Sequence, residues 1–292
     1  MRGRGCDAVV LCHGMGAPEF SFWIFLTSLL GGLLGALTGL GGGVVVVPAL
    51  TLLFHIDIHY AIGASLVSVI ATSSGAAAAY VREGYSNIRI GMFLEIATTL
   101  GALLGAYLTT RVPTHAIGIV FGVVLLYSAW ASVRMKHHDH QPDAPDALAT
   151  RLRMHGTFPR ANGDEAYSAQ HVPAGFSLMF LAGSLSGLLG IGSGAVKVLA
   201  MDQAMRLPFK VSTTTSNFMI GVTAAASAGI YLSRGYISPG LAMPVMLGVL
   251  GGSLVGSKIL VHAEVKTLRI VFAVVIVALG LEMIVNSITG RL

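Results

Sequence analysis

The sequence has little charge and almost no cysteine. Only 11% of its 292 residues are charged, whereas 54% are hydrophobic, and the mean hydropathy is +0.77. A chain of this length with so few charges cannot stay dissolved in water, so the composition indicates an integral membrane protein. The two cysteines, Cys6 and Cys12, provide no disulfide framework. The composition therefore excludes a soluble enzyme and a disulfide-rich secreted domain.

Motifs of other functional classes are also missing. No phosphate-binding loop of the ATPase type occurs, which argues against an ATP-driven pump, and no cofactor is predicted. Ser193 could act as the nucleophile of an intramembrane hydrolase only with a base beside it. The histidines lie in loops, in the tail or at segment ends, as His55, His115 and His262 do. The formal net charge of +5 is assigned to cytoplasmic loops rather than to nucleic-acid binding.

Eight apolar stretches are long enough to cross a bilayer of about 30 Å. They span residues 20–53, 60–81, 88–110, 115–133, 172–201, 211–233, 237–257 and 267–288. The first and the fifth are too long for one straight helix at about 1.5 Å per residue. Glycines interrupt both of them, so the sequence predicts a broken helix at each place.

These two interruptions belong to an internal duplication. The pattern Gly32-x6-Gly39-x-Gly41-x-Gly43 recurs 151 residues later, from Gly183 to Gly194. The same offset pairs Ser65 with Ser216 and Thr72 with Thr223. We therefore predict an N-terminal tail at 1–19, a first repeat at 20–134, a cytoplasmic linker at 135–171 and a second repeat at 172–292.

The predicted fold is an all-α polytopic membrane protein with two inverted repeats. Each repeat has a glycine-broken first segment, re-entrant or split into half-helices, and three transmembrane helices. A first segment that turns back places the basic residues of the second repeat on the cytoplasmic side, in agreement with the positive-inside rule. These residues are Arg206, Lys210, Lys258, Lys266 and Arg269. Four simple crossings in each repeat, the competing topology, would place them outside.

The glycine pattern also carries a family resemblance. Gly39-x-Gly41-Gly42-Gly43-x4-Pro48-x-Leu50, with the weaker copy Gly190-x-Gly192-Ser193-Gly194, resembles the TauE/SafE-type family of sulfite and organosulfonate permeases. The likeness covers nearly all of residues 20–288. It implies transport of small sulfur-containing anions such as sulfite or sulfoacetate, coupled to protons or to the membrane potential. The second copy departs from the first at Ser193, Lys197 and Leu199.

Lys197 is the most unusual residue of the apolar segments, because its counterpart in the first repeat is Val46. A lysine at mid-membrane costs about 2.5–3.5 kcal/mol even on the lenient insertion scale. Three interpretations follow: a counter-charge for a substrate anion, a pair with Glu95 or Glu282, or snorkelling to the interface.

The candidate substrate site combines glycines of the breaks with small polar side chains. Glycine allows close backbone approach to an oxyanion, and hydroxyls can donate to it. The candidates are Gly41, Gly42, Gly43, Ser65, Ser68, Thr72, Gly192, Ser193, Gly194, Lys197, Ser216 and Asn217. Hydroxyls in membrane helices also bond back to their own backbone, and isolated glycine pairs such as Gly101 and Gly105 serve helix packing.

Four acidic residues lie in or beside the apolar segments. Glu95 and Glu282 lie well inside theirs, so both are candidates for carrying a coupled proton. Asp57 and Asp202 lie at segment ends, where a solvated charge is expected.

The linker contains His137-His138-Asp139-His140, then Pro142, Pro145 and scattered charge, so we expect it to be flexible. Its histidine cluster suggests a divalent-metal permease as an alternative. Such a protein would need carboxylates or histidines at the breaks, and Lys197 repels cations. No resident metal is therefore predicted. The expected partners are a small sulfur anion and the lipid bilayer of a bacterial cytoplasmic membrane, and a homo-oligomer is compatible with the sequence.

Overall fold

The chain folds almost entirely into helices. The computed structural model describes residues 16–38, 42–82, 87–134, 146–152, 154–160, 163–192, 194–260 and 265–290. The elements are α1 (Ala17–Thr38), α2 (Gly43–Leu53), α3 (Ile58–Arg82), α4 (Ile88–Leu108), α5 (Thr114–Arg134), α6 (Ala147–Arg151), β1 (His155–Arg160), β2 (Gly163–Ser168), α7 (Val172–Leu189), α8 (Gly194–Leu199), a π-helical turn (Ala200–Ala204), α9 (Phe209–Ser233), α10 (Pro239–Leu260) and α11 (Val265–Ile288).

Several helices suit a membrane. By length and composition, Pro18–Gly35, Ile88–Leu108 and Val172–Leu189 can each cross one, and five shorter apolar stretches accompany them. Helix α4 has an apolar outer face, on which Met92, Ile96 and Leu100 are exposed, and an inner face that buries Glu95 and Thr98. Exposed apolar and buried polar side chains on one helix are typical of a protein surrounded by lipid. The structure is therefore consistent with an all-α membrane protein.

The long first segment turns back on itself, as the segment length predicts. Helix α2 begins at Gly43 beside the middle of α1, where Val45 and Val46 pack against Gly31. It ends near the start of α1, where the Phe54 and Phe20 rings lie 5.9 Å apart. The second long segment does the same, because Met205, just past the π-helical turn, packs against Gly175 near the start of α7. Both segments form helical hairpins.

Glycines let two pairs of helices approach at backbone distance. Gly101 and Gly105 of α4 lie against the backbone of α7, and Gly183 and Gly187 of α7 lie against that of α4. Gly252 of α10 contacts Leu29 of α1 in the same way. A side chain at any of these positions would overlap the neighbouring backbone. The packing role predicted for Gly101, Gly105 and Gly252 is confirmed.

The second part of the linker is folded, so the prediction of a flexible segment over all of 135–171 is wrong there. Strands β1 and β2 pair as an antiparallel hairpin. Met154 and Ala169 are buried in one cluster with Ile90 of α4. The Asn87 amide donates to the Tyr167 hydroxyl at 2.9 Å, and burial raises the pKa of Tyr167, so this hydroxyl stays protonated at neutral pH. The hairpin is anchored to the start of α4.

Candidate functional site

The two glycine breaks lie against each other inside the helix bundle. The Ser65 hydroxyl of α3 donates to the Gly190 carbonyl at 2.8 Å. A Cβ on Gly43 would lie 2.5 Å from Ser65 Oγ and 3.2 Å from Gly190 O. In the second break, the Ser216 hydroxyl donates to Gly194 O at 3.5 Å, at the limit of a hydrogen bond. Ser65 and Ser216 thus connect the breaks to the helices that follow them.

Glycine is required at two positions of the second break. Gly190 and Gly192 have φ of +68° and +70°, in the left-handed region that disfavours other residues. Gly190 ends α7, and the chain turns back before α8 starts at Gly194. In the first break, Gly42 caps α2 and packs against Val249 of α10. Gly41 and Ser193 lie outside the described residues.

Lys197 lies at the second break and is completely buried, with 0% of its surface exposed. Its ammonium group donates to the Thr223 hydroxyl at 2.5 Å. Thr223 donates in turn to Glu95 Oε1 at 2.8 Å. Lys197 is therefore linked to Glu95 through one hydroxyl and does not reach the interface.

Glu95 receives further hydrogen bonds from its own helix. Thr98 donates to Oε2 at 2.9 Å and Thr99 to Oε1 at 3.1 Å. With Thr223, these donors serve both carboxylate oxygens of a residue that is only 8% exposed. The Glu95 carboxylate is therefore buried with hydrogen-bond donors on both of its oxygens, and the Lys197 ammonium lies one hydroxyl away.

The remaining hydroxyl candidates bond to their own helices. Ser68 donates to Ser65 O at 2.7 Å, and Thr72 donates to Ser68 O at 3.0 Å. Both belong to α3, beside the first break, and Ser68 is fully buried. Asn217 of α9 is half-buried.

The other acidic residues differ from Glu95. Glu282 is exposed on the outer surface of α11. Asp57 is also exposed and accepts a hydrogen bond from the His59 ring at 2.9 Å, whereas Asp202 is only 5% exposed. The expectation of a solvated charge is therefore wrong for Asp202, because the π-helical turn folds back under α7 and α9. No cluster of metal-ligating residues occurs among the residues that the structure describes, and His137–His140 lie outside them.

From the sequence, Thr223 is a candidate wall residue of the site, as Ser216 is, but its contacts with Lys197 and Glu95 are not predicted. The feature that could have identified these contacts is the equivalence of Thr223 to Thr72. A threonine that occurs at the same position of both repeats is a candidate polar contact for an intramembrane lysine. Glu95 also shares one side of α4 with Gly91, Thr98 and Gly101, which are small residues typical of a packed helix face.

Comparison with known proteins identifies the family of the chain. A sequence model described as sulfite exporter TauE/SafE matches residues 24–283. The chain is 26% identical to the probable membrane transporter protein YunE of Bacillus subtilis, over 91% of this chain and 97% of the relative. It is 27% identical to the probable membrane transporter protein MJ0441 of Methanocaldococcus jannaschii, over 91% of this chain and 98% of the relative.

The probable membrane transporter protein YdhB of Bacillus subtilis is 29% identical, over 80% of this chain and 88% of the relative. No solved structure matches. Since the family match spans both helical hairpins and all the helices between them, the chain belongs to the TauE/SafE sulfite exporter family of membrane transporters.

Proposed function

We propose that this protein is a secondary transporter for small sulfur-containing anions, such as sulfite and organosulfonates, in the bacterial cytoplasmic membrane. The observation that carries the proposal is Lys197, a fully buried ammonium at a re-entrant break. A buried cation at membrane depth is costly and marks a substrate pathway more often than a structural feature. The description of the matched family supplies the sulfur chemistry of the substrate.

The proposed substrate site lies where the two breaks meet. It comprises Gly41, Gly42, Gly43, Ser65, Ser68, Thr72, Gly192, Ser193, Gly194, Lys197, Ser216 and Asn217. The contact of Gly43 with Ser65 and Gly190 supports a shared site, since it brings residues of both halves together. Lys197 supplies charge, and hydroxyls that now donate to backbone carbonyls would turn toward the anion when it binds.

Two inverted repeats are part of the same proposal. The close contacts recur when each residue is replaced by its partner at the 151-residue offset. The contact of Gly32 with Val249 becomes that of Gly183 with Thr98, and the contact of Gly101 with Phe180 becomes that of Gly252 with Leu29. Such an exchange supports a pseudo-two-fold relation between the halves.

Helix directions favour inverted over parallel repeats. Helices α3 and α9 occupy equivalent positions in the two repeats and pack against each other. Gly63, near the start of α3, lies beside Tyr236, just after α9, and Ser73 lies beside Gly221 farther along. The two helices therefore run antiparallel, as an axis in the membrane plane requires. Rocking one half against the other would expose the breaks to each side alternately.

A ligand screen of the purified protein tests the proposed substrate. Thermal unfolding is measured with sulfite, methanesulfonate, sulfoacetate, sulfate, acetate and zinc. We expect sulfite or a sulfonate to raise the midpoint, and we expect Lys197→Met to abolish that shift while the protein still elutes as a folded species in detergent. Stabilisation by zinc alone would overturn the anion assignment in favour of a metal permease.

A further inference from the structure

The buried network at the second break contains an anion of its own, and this suggests how transport is driven. We propose that Glu95 is the internal counter-anion of Lys197. When Glu95 takes up a proton, the substrate anion takes over its role as the counter-anion of Lys197, so one proton moves with each substrate anion. The inference rests on the proposed anion transport and adds its coupling ion, stoichiometry and electrical balance.

The geometry provides a single connection between the two charges. Thr223 accepts from the Lys197 ammonium and donates to Glu95 Oε1. The same hydroxyl lies 2.9 Å from the Met219 carbonyl, one turn earlier in α9. Its proton can thus turn from Glu95 to that carbonyl without leaving the helix. Protonation of Glu95 would remove the charged acceptor of the Thr223 hydroxyl. The hydroxyl and the Lys197 ammonium would then be free to bind another anion.

Few other charges can compensate Glu95 or Lys197. Helices α7 and α9 pack against α4. Helix α7 has no ionisable side chain, and α9 has only Lys210 in its first turn and Tyr231 near its end. Among the described residues, Asp202 in the π-helical turn is the other buried carboxylate. Within the same part of the chain, Lys197 is linked to Glu95 through the hydrogen bonds that both make with Thr223.

The charge balance is the same in both states. In the empty state, the ammonium and the carboxylate sum to zero. In the loaded state, Glu95 has gained one proton and is neutral, while the ammonium and a monovalent anion again sum to zero. Release on the other side returns the anion and the proton together. A site that is neutral in every state avoids the cost of a net charge at membrane depth.

Two consequences follow from this balance. Transport of a monovalent anion with one proton is electroneutral, so the membrane potential does not drive it. A dianion would leave one negative charge uncompensated, so monovalent sulfonates are preferred over sulfoacetate. At the 151-residue offset, the positions equivalent to Lys197 and Glu95 are Val46 in the first repeat and Met246 in the second, so the equivalent place adds no second proton.

Proteoliposomes containing the wild-type protein test the coupling directly. The probe is radiolabelled methanesulfonate, the anion of a strong acid, which does not leak through lipid in a neutral form. With the potential clamped at zero, a pH gradient should accumulate it about tenfold per pH unit on the alkaline side. A potential without a pH gradient should give no accumulation. Accumulation driven by potential, or insensitivity to the pH gradient, would overturn the inference.

Glu95→Gln tests the residue, because glutamine resembles the protonated acid but cannot release a proton. We expect its accumulation ratio to fall to about one, while exchange of internal for external methanesulfonate persists and loses its pH dependence. Glu282→Gln, the same change on an exposed site, should still accumulate substrate. Retained pH-driven accumulation in Glu95→Gln would exclude Glu95 as the proton carrier.

Failure of the inference can be told apart from failure of the proposed function. Wild-type exchange of methanesulfonate or sulfite without pH coupling would refute only the inference. Absence of exchange for both anions in wild-type liposomes that contain folded protein would refute both. The wild-type measurements need no variant, so they decide the coupling even if Glu95→Gln fails to fold.

Discussion

The two glycine breaks are each followed by a short helix, and these helices differ in chemistry. Val46 in the first break is 1% exposed and Lys197 in the second is 0% exposed, so both positions are buried to the same extent. Val46 is flanked in α2 by the buried residues Val45 and Val47, whereas Lys197 contacts the hydroxyl of Thr223. The register partner of Thr223, Thr72, bonds only within its own helix in the contacts described. The break before α2 is thus followed by apolar residues, whereas the break before α8 is followed by a buried charge.

The returning helices differ in the same way. Helix α2 contains Pro48 and remains α-helical to Leu53. In the second repeat the equivalent residue is Leu199, and the chain continues from it into the π-helical turn. A proline removes a helix donor, and a π-turn accommodates an extra residue, so both disturb the helix at the same register. The π-turn lies next to the charged network, as is common at functional sites.

Of the variants that test this difference between the breaks, Lys197→Ala should have the largest effect on anion uptake. It removes the substrate charge and leaves Glu95 buried without its cation, which costs about 3–5 kcal/mol of stability. We expect anion uptake by proteoliposomes to fall at least about 100-fold, corresponding to about 3 kcal/mol or more. Val46→Ala at the equivalent apolar position should retain uptake. Equal losses in the two variants would show that the breaks do not differ in function.

Gly101→Val and Gly252→Val test the close helix packing at glycine, which is similar in the two halves. Each new side chain would overlap a backbone, that of Phe180 or that of Leu29, so each should destabilise the protein by about 1–3 kcal/mol or more. Thermal unfolding in detergent should show similar decreases for both variants. A large effect at one position alone would contradict the pseudo-symmetric packing.

Thr223→Val removes the hydroxyl between the two charges and keeps the shape of the side chain. Loss of a hydrogen bond to a charged group costs about 1.5–3 kcal/mol, so transport should fall about 10- to 100-fold. Thr27→Val is the control, and its loss should be under about threefold, because the Thr27 hydroxyl lies outside the proposed site and donates to the Trp23 carbonyl of its own helix. Comparable uptake rates for both variants would remove Thr223 from the site.

Glu282→Gln should have the smallest effect. Its side chain is exposed on α11, so neutralising it leaves the buried network intact, and the free energy of unfolding should change by less than about 0.5 kcal/mol. Transport rate and thermal midpoint should match those of the wild type. A transport defect as large as that of Lys197→Ala would assign the coupling role to α11 instead.

The sequence was most informative where a residue conflicts with its surroundings. Glycines inside a segment too long for one helix predict a break, and the described residues confirm it at Gly43 and Gly194. A lysine in an apolar run is recognised as unusual from the sequence alone. The sequence could not choose between Glu95 and Glu282 as its partner, because that choice depends on which helix packs against α9, and this is a contact between residues 128 positions apart.

The linker shows where the sequence was least informative. Its polar and proline-rich composition predicts flexibility, and short segments of this kind cannot bury enough apolar surface by themselves. Met154 and Ala169 are nevertheless buried, because the apolar surface they cover belongs to α4 and to the residues after the π-helical turn. Such folding on a neighbouring surface leaves little periodic signal in the local sequence.

The exchange of helix partners between the halves also constrains how the protein is made. Helix α1 finds its close glycine contacts on α10, and residues 39–238 lie between them. At a synthesis rate of about 5–20 residues per second, α1 waits roughly 10–40 s for that partner. Its glycine surface must therefore tolerate lipid or an insertion factor during that interval, and a chain truncated before α10 would retain α1 in the membrane without its main contact.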